Sequence, residues 1–277
     1  MNLSLREIKH RARGLMKSSA KPGPFAVALV FAVITAAVTF FFGRIAGAEA
    51  IIDDARVEEL SQMAQAGTMP SFAELAEAVE IRQPKSDFFS ELLEMALRFV
   101  SVMVTAGFGL YALRHVRSQS GEMGNLLDGF GQCFRVIMVY LLQTLFVTLG
   151  FMFFIVPGIR LLYGYRLSTY LLWDRPDWTP MQCLRTSRRM MDGNRWKVFT
   201  MDMSFLLWII LGSIPFSVAN VCLNQQAYGS MACALAAGVA LSAFVSLYRE
   251  LTLSLWYTLS FGEEGENVIE EKPPWEY

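Results

Sequence analysis

The sequence has few of the residues that most often carry enzyme chemistry. Its 277 residues include two histidines, His10 and His115, and four cysteines that form no C-x-x-C pair. The zinc-protease motif H-E-x-x-H, the nucleophile motif G-x-S-x-G and the phosphate loop G-x-x-x-x-G-K-S/T are all missing. We therefore predict a protein that is not an enzyme and that holds no metal and no cofactor.

Charged residues are also missing from long stretches of the chain. Hydrophobic residues make up 54% of the sequence and charged residues 18%, a composition too apolar for an ordinary soluble domain. A helix needs about 20 mainly apolar residues to cross a bilayer, and long runs without two-residue alternation indicate helices. Five such runs cover residues 24–43, 95–113, 136–156, 198–218 and part of 231–261, and an irregular run covers 158–173. The predicted fold class is all-α, a polytopic integral membrane helix bundle of about six transmembrane helices with amphipathic surface helices.

Lysine and arginine are unevenly distributed over the segments between these runs. Residues 1–23 and 174–197 carry six basic residues each, whereas 219–230 carries no charged residue. Because short loops rich in Lys and Arg stay in the cytoplasm, both basic segments are predicted to lie inside the cell. Six spans then place both termini in the cytoplasm. The predicted organisation is a basic amphipathic helix at 1–23, a membrane domain at 24–261 and an acidic cytoplasmic tail at 262–277.

The segment 44–95 is predicted to be an extracytoplasmic helical loop. Beyond residue 44 it holds 11 acidic residues against three basic ones, a balance that argues against nucleic acid as a partner. Ser71 and Glu74 form a capping box before an apolar helical pattern that includes Val79. Two short amphipathic helices are predicted in this segment, near 50–65 and from residue 71.

Two basic amphipathic helices are predicted at the inner membrane surface. The first has Ser4 and Glu7 as a capping box and is expected to lie on the inner leaflet with its basic face toward anionic lipid. The second is expected over 180–191, because Thr179 is a good N-cap and Gly193 a good stop. Basic residues in and after it are candidate contacts for anionic lipid headgroups: Arg185, Arg188, Arg189, Arg195 and Lys197. The same charges have a second interpretation, as a topology signal only.

Two arginines interrupt the irregular run 158–173. Arg160 is near the predicted outer interface, where its side chain can reach water. Arg166 lies about 12 Å from the inner boundary at ~1.5 Å per helical residue, a depth at which a guanidinium costs about 2.5 to 3.5 kcal/mol on insertion scales. Pro157 and Gly158 are predicted to break the chain, so that the third and fourth spans form a tight hairpin.

A buried ion pair is the predicted solution for Arg166. Asp202 in the fifth span lies at a depth that differs by only ~4 Å on the same helical rise, so the two side chains are expected to pair. Arg249 and Glu250 in the last span are expected to join this intramembrane polar cluster. Such a cluster is either a lock that holds three helices together or part of a ligand or ion path.

Four stretches of the chain are similar to a known family. They are LREIKHRAR near the start, LLDGFGQCF at 126–134, VPGIRLLYGY at 156–165 and a long block at 170–208. They resemble the bacterial membrane family called domain of unknown function 975. That resemblance implies a multi-helix integral protein of the bacterial plasma membrane with no established reaction. A more distant resemblance, to membrane domains attached to glycerophosphodiester phosphodiesterases, hints at lipid-related work.

These observations favour a non-catalytic multi-pass membrane protein that organises lipid or a protein partner at the inner leaflet. The expected partners are the lipid bilayer and anionic lipid headgroups, with no nucleic acid, and a homo-oligomer is left open. The alternative is a small-molecule or ion transporter that uses the buried Arg166 and Asp202 cluster.

Overall fold

The structure, a computed structural model, describes residues 5–17, 23–46, 49–52, 62–63, 79–82, 88–117, 123–224 and 227–261. Its helices are α1 Leu5–Met16, α2 Pro24–Ala46, α3 Phe88–Val116, α4 Asp128–Gly131, α5 Cys133–Phe153, α6 Ile155–Gly164, α7 Ser168–Asp174, α8 Pro180–Met190, α9 Arg195–Asn224 and α10 Tyr228–Phe261. A 3-10 helix, Met123–Leu126, precedes α4, and strands β1 Glu49–Ile52 and β2 Val79–Arg82 lie between α2 and α3 in the sequence. The chain divides into two compact units, Met1–Thr35 with Ser101–Tyr277, and Ala36–Val100.

Four helices are long and apolar enough to cross a membrane, namely α3, α5, α9 and α10. Helix α2 has a shorter apolar stretch over Pro24–Thr39. The irregular run 158–173 is not one helix, because α6 ends at Gly164 and α7 begins at Ser168. Throughout its described residues the larger unit contains helices and no strand, so the all-α prediction is confirmed there with four candidate spans.

The four long helices differ in how much of their surface is buried. In α3, 56% of the apolar window is buried, whereas in α9 the share is 12%. The core contains the fully buried side chains Tyr111, Leu171, Leu172, Leu184, Leu247 and Leu251, which belong to α3, α7, α8 and α10. Helix α9 therefore presents most of its apolar surface outward, as a helix in contact with lipid or a partner does.

The break between α6 and α7 is stabilised by a side chain from α8. Ser187 is fully buried, and its Oγ accepts a hydrogen bond from the Leu167 N–H at 3.1 Å and donates one to the Gly164 carbonyl at 2.8 Å. Ser168 donates a further side-chain hydrogen bond to the Tyr165 carbonyl at 2.7 Å. These bonds satisfy backbone groups that helix ends leave without an intrahelical partner. Irregular backbone is tolerated at this point because the surrounding protein supplies the missing partners.

The hairpin between α5 and α6 turns at Phe154, so the predicted break at Pro157 and Gly158 is wrong in position. Phe154 is extended, with φ −162° and ψ 155°, and Pro157 lies in the first turn of α6, where a missing N–H breaks no hydrogen bond. Gly158 sets the close packing of the two helices. A Cβ on Gly158 would lie 2.5 Å from the Phe151 ring, and a Cβ on Gly150 would lie 3.1 Å from the Gly158 Cα.

Helix α8 forms almost where its local signals predict it. Thr179 and Gln182 form a capping box, Pro180 occupies the first turn, and Gly193 has a positive φ of 78°. The helix covers Pro180–Met190 against a prediction of 180–191. Its buried face includes Cys183, Leu184 and Ser187, which anchor it to the bundle, and burial raises the pKa of the Cys183 thiol to about 11.

Helix α1 has the predicted position in the sequence but not the predicted environment. Ala12 is fully buried, Arg13 Nε donates to Tyr248 Oη at 3.1 Å, and Lys9 Nζ lies 4.7 Å from the centroid of the Phe205 ring. Burial, together with the Arg13 charge, lowers the pKa of Lys9. Lys9 and Arg13 therefore contact aromatic side chains of α9 and α10, and Arg13 is also exposed.

The smaller unit contains a pair of strands that the helical pattern did not predict. β1 and β2 pair antiparallel, with Glu49 opposite Arg82 and Ile52 opposite Val79. The predicted outer helices are therefore wrong at 50–52 and at Val79, where cross-strand hydrogen bonds replace local ones. Other parts of those predictions, and the tail at 262–277, lie outside the described residues.

Candidate functional site

A polar cavity of about 290 Å³ lies among α3, α5, α7, α10 and the connector before α7. Its polar lining consists of Ser101, Thr105, Tyr140, Gln143, Arg166, Thr169, Tyr170, Arg249 and Glu250. Apolar side chains of the same helices complete the wall. A concave site with a few convergent polar groups in an apolar wall is the usual form of a small-ligand pocket, and this volume is at the small end of the range.

Arg166 reaches the cavity because it lies in the connector between α6 and α7. Its backbone N–H donates to the Tyr163 carbonyl at 3.3 Å, while Tyr165 and Leu167 on either side of it are buried. In one continuous helix its neighbours would continue the hydrogen-bonded ladder. The break held by Ser187 therefore places a charged side chain beside α10.

The predicted ion pair between Arg166 and Asp202 does not form. Arg166 Nε and Asp202 Oδ1 are both buried, and neither has a hydrogen-bond partner among the described residues. The cavity lining contains Glu250 and no residue of α9. The depth estimate is compatible with proximity of the two side chains, but among the described residues they form no ion pair.

Glu250 is held by a tyrosine. Tyr170 Oη donates to Glu250 Oε1 at 2.5 Å, and Ser254 Oγ donates to Tyr170 Oη at 3.3 Å. The space for the carboxylate depends on Gly109, where a Cβ would lie 3.4 Å from Glu250 Oε1. Of the four residues predicted to form the polar cluster, the structure brings Arg166, Arg249 and Glu250 to one cavity and leaves Asp202 outside its lining.

A second polar group, which the sequence analysis did not predict, joins Arg117, just after α3, to α7 and α10. Arg117 donates two hydrogen bonds to the Asp174 carboxylate at 2.7 and 2.8 Å, and Tyr257 Oη donates a third at 2.7 Å. We call Arg117, Asp174 and Tyr257 the Asp174 clasp. The hydrogen bonds to Asp174 raise the pKa of the Arg117 guanidinium. The available signal was an arginine just after one apolar run and an aspartate at the end of another.

The motif segment at 126–134 packs against the backbone of α3. Arg114 donates to Asn125 Oδ1 at 2.5 Å and to Asp128 Oδ2 at 3.1 Å. A Cβ on Gly129 would overlap the Met103 carbonyl, so only glycine fits this approach. The segment LLDGFGQCF is therefore structural support for α3, which forms one wall of the cavity.

The candidate lipid contacts differ in how exposed they are. Arg185, Arg188, Arg189 and Lys197 are exposed, as is Trp196, whose side chain is 71% exposed. Arg195 is different, because it pairs with Asp192 at 2.6 Å and donates to the Arg188 carbonyl at 3.4 Å. Arg195, one of the predicted headgroup contacts, is therefore bound to neighbouring groups of the protein.

The described residues include no group of three or more His, Cys, Asp or Glu side chains that could hold a metal ion. The polar groups of the cavity are donors and acceptors of hydrogen bonds rather than a metal-ligand set.

Fold and site together define a helical protein with four candidate membrane-spanning helices and a charged cavity among its helices. Residues 92–259, more than half of the chain, match the sequence model described as Protein of unknown function (DUF975). The chain belongs to this family, as the resemblance of its motifs predicted. The matched region includes every residue that lines the cavity and all three residues of the Asp174 clasp. No curated protein and no solved structure matches the chain.

Proposed function

We propose that this chain is a non-catalytic multi-pass membrane protein that binds and organises anionic lipid at the inner leaflet. The observation that carries the proposal is the surface of α8, where Arg188 and Arg189 are exposed while Cys183 and Leu184 anchor the helix to the bundle. A rigid helix with an outward row of guanidiniums next to an exposed Trp196 is suited to the phosphate level of a membrane.

The proposal places six spans in the bacterial plasma membrane. In this proposal, α2 and the pair formed by α6 and α7 add two further spans to the four candidate spans. Two contacts support termini on one side. The Leu15 carbonyl lies 3.2 Å from His115 Nε2 at the end of α3, and Tyr257 near the end of α10 bonds Asp174. The basic residues of 1–23 and 174–197 assign that side to the cytoplasm.

Electrostatic attraction to anionic lipid is strong enough to select lipids. Each Lys or Arg near an anionic surface contributes about 1 kcal/mol, within a screening distance of about 8 to 10 Å. The exposed arginines of α8 are one to four residues apart, so they act on the same patch of headgroups.

The test compares the lipid selectivity of two variants in vesicles that contain phosphatidylglycerol and phosphatidylcholine. We expect Arg188→Gln with Arg189→Gln to lower the preference for spin-labelled phosphatidylglycerol by at least about twofold. Arg160→Gln, which removes an exposed arginine outside this surface, is the matched control and is expected to leave the preference unchanged. Equal preference in wild type and the double variant contradicts the proposal.

A second candidate function is transport of a small molecule or an ion, and the cavity among the helices is the observation that favours it. Arg166, Arg249 and Glu250 supply both signs of charge at one site inside the bundle. The test is solute flux into proteoliposomes. Flux of a defined solute that disappears in Arg166→Gln but persists in Arg160→Gln favours the transporter over the lipid-organising protein.

A further inference from the structure

We propose that the cavity is a binding site for one phosphate group, held by the guanidiniums of Arg166 and Arg249. This inference is independent of the proposed lipid contacts of α8, because it concerns a different surface and different residues. It rests on unused hydrogen-bond donors, on the balance of charge in the lining and on the shape of the opening.

Both arginines of the cavity have donors that the protein does not use. Within the described part of the chain, neither the Arg166 nor the Arg249 guanidinium makes a hydrogen bond or an ion pair, and Arg166 Nε is fully buried. A guanidinium carries five N–H donors and keeps its charge in proteins. Both side chains are half-buried at the cavity wall, and unused guanidinium donors of this kind bind an anionic acceptor by charge-assisted hydrogen bonds.

The carboxylates near the cavity do not supply that acceptor. Glu250 accepts the hydrogen bond from Tyr170, and Asp202 is not part of the lining. The charged lining residues are therefore two arginines and one glutamate, which leaves one positive charge in excess. The lining itself is therefore complementary in charge to an anion.

The other donors favour phosphate over a smaller anion. The hydroxyls of Tyr140 and Thr169 and the amide of Gln143 line the same cavity. Phosphate offers more acceptor oxygens than a carboxylate does, and arginine binds it in a bidentate geometry. The cavity volume of about 290 Å³ is large enough for a phosphate group.

The opening of the cavity lies between two apolar helices. Thr105 of α3 and Tyr140 of α5 line the cavity and are both exposed. A phosphate attached to a lipid can enter between these helices while its acyl chains stay on their apolar surfaces. A free phosphate ion is the other source of the same chemistry, and the experiment below separates the two.

The experiment uses the purified full chain in detergent with two probes, dioleoyl phosphatidylglycerol and radiolabelled inorganic phosphate. Native mass spectrometry counts the lipid retained, and equilibrium dialysis measures the ion. We expect Arg166→Gln and Arg249→Gln each to weaken binding at least about tenfold, because each removes charge-assisted hydrogen bonds. Arg160→Gln is expected to stay within about twofold of wild type. Binding of the lipid alone identifies a headgroup site, and binding of the ion identifies a site for free phosphate.

A second variant protects the test against loss of folding. Thr105→Trp keeps every charge of the cavity and adds bulk at an exposed position of its lining, where the threonine hydroxyl donates to the Ser101 carbonyl of its own helix. We expect an unchanged unfolding midpoint and at least about tenfold weaker binding. The proposal is overturned if Thr105→Trp and a folded Arg166→Gln or Arg249→Gln all bind with wild-type affinity. It is also overturned if the wild-type protein binds neither probe.

Discussion

The Asp174 clasp and the cavity each combine arginine, tyrosine and a carboxylate, and they differ in whether their arginines are paired. In the Asp174 clasp, Arg117 and Tyr257 give three hydrogen bonds to one carboxylate. In the cavity, Arg166 and Arg249 give none to the described residues. A charge stabilises the interior of a protein only when its partners repay the cost of desolvation. The clasp is therefore a structural lock, whereas the cavity has the properties of a binding site.

The two groups are also physically continuous. The rings of Tyr170 and Tyr257 stack with centroids 5.3 Å apart, and Tyr170 bonds Glu250 while Tyr257 bonds Asp174. Glu250 and Tyr257 are seven residues apart, which places them on one face of α10. The Asp174 clasp thus positions Tyr170 through the stacked Tyr257 ring, and Tyr170 positions the Glu250 carboxylate.

The largest effect on stability is expected from breaking the lock. Asp174→Ala leaves Arg117 and Tyr257 without their acceptor, and we expect a loss of about 2 to 3 kcal/mol in the free energy of unfolding, since the side chains are partly exposed. Denaturant unfolding in detergent measures it. Asp192→Ala, which removes the largely exposed partner of Arg195, is the control and is expected to cost at most about 1 kcal/mol. Equal losses in the two variants contradict the assignment of the clasp as the lock.

Removing the Tyr170 hydroxyl, which bonds Glu250, is expected to have an intermediate effect on the free energy of unfolding. Tyr170→Phe takes the donor away from Glu250 and costs about 1 to 2 kcal/mol. The freed carboxylate can then turn to Arg166, so we expect phosphate affinity to fall by about threefold or more. Tyr228→Phe, at an exposed position of the same helix as Glu250, serves as the control. Unchanged phosphate binding in Tyr170→Phe argues against competition between the carboxylate and the ligand.

Neutralising the Glu250 carboxylate is expected to strengthen phosphate binding in the cavity. Glu250→Gln keeps an acceptor for Tyr170 but removes the negative charge that opposes an anion. We expect phosphate affinity to rise by about three- to tenfold, measured by equilibrium dialysis. Phosphate affinity that stays at the wild-type value or falls in Glu250→Gln contradicts the view that Glu250 opposes the anion.

The smallest effect is expected at the residue that the sequence places in the predicted ion pair. Asp202→Asn removes a charge that makes no ion pair with the described residues, so we expect a change below about 1 kcal/mol in unfolding free energy and a normal folded yield. The yield of purified protein and its unfolding midpoint measure this. A collapse in yield restores Asp202 to the role of a lock.

Local signals predicted the parts of the fold that depend on neighbouring residues. The cap at Thr179, the stop at Gly193 and the long apolar runs follow from chemistry within a few positions of the chain, and the structure agrees with them. The pairing of β1 with β2 joins residues about thirty positions apart. Such a contact leaves no local pattern, so the helical prediction for 50–52 was wrong.

The site was predicted in its residues but not in its contacts. Arg166, Arg249 and Glu250 stand out because charge is unusual in an apolar run, and all three line the cavity. Their partners depend on the break between α6 and α7, which Ser187 stabilises from another helix. Helical depth alone could not reveal that break, so it paired Arg166 with Asp202. No local pattern marks the contact of Arg117 with Asp174, because its acceptor lies 57 positions away.

The most direct test compares Arg166→Gln with Asp174→Ala in the same detergent, with unfolding midpoint and phosphate binding measured on each. We expect Asp174→Ala to lower the midpoint. We expect Arg166→Gln to weaken phosphate binding at least about tenfold while its midpoint stays at or above that of wild type, because it removes an unpaired charge. An Arg166→Gln protein that loses as much stability as Asp174→Ala and binds phosphate as wild type does would contradict the central claim that the paired arginine locks the bundle and the unpaired one binds a ligand.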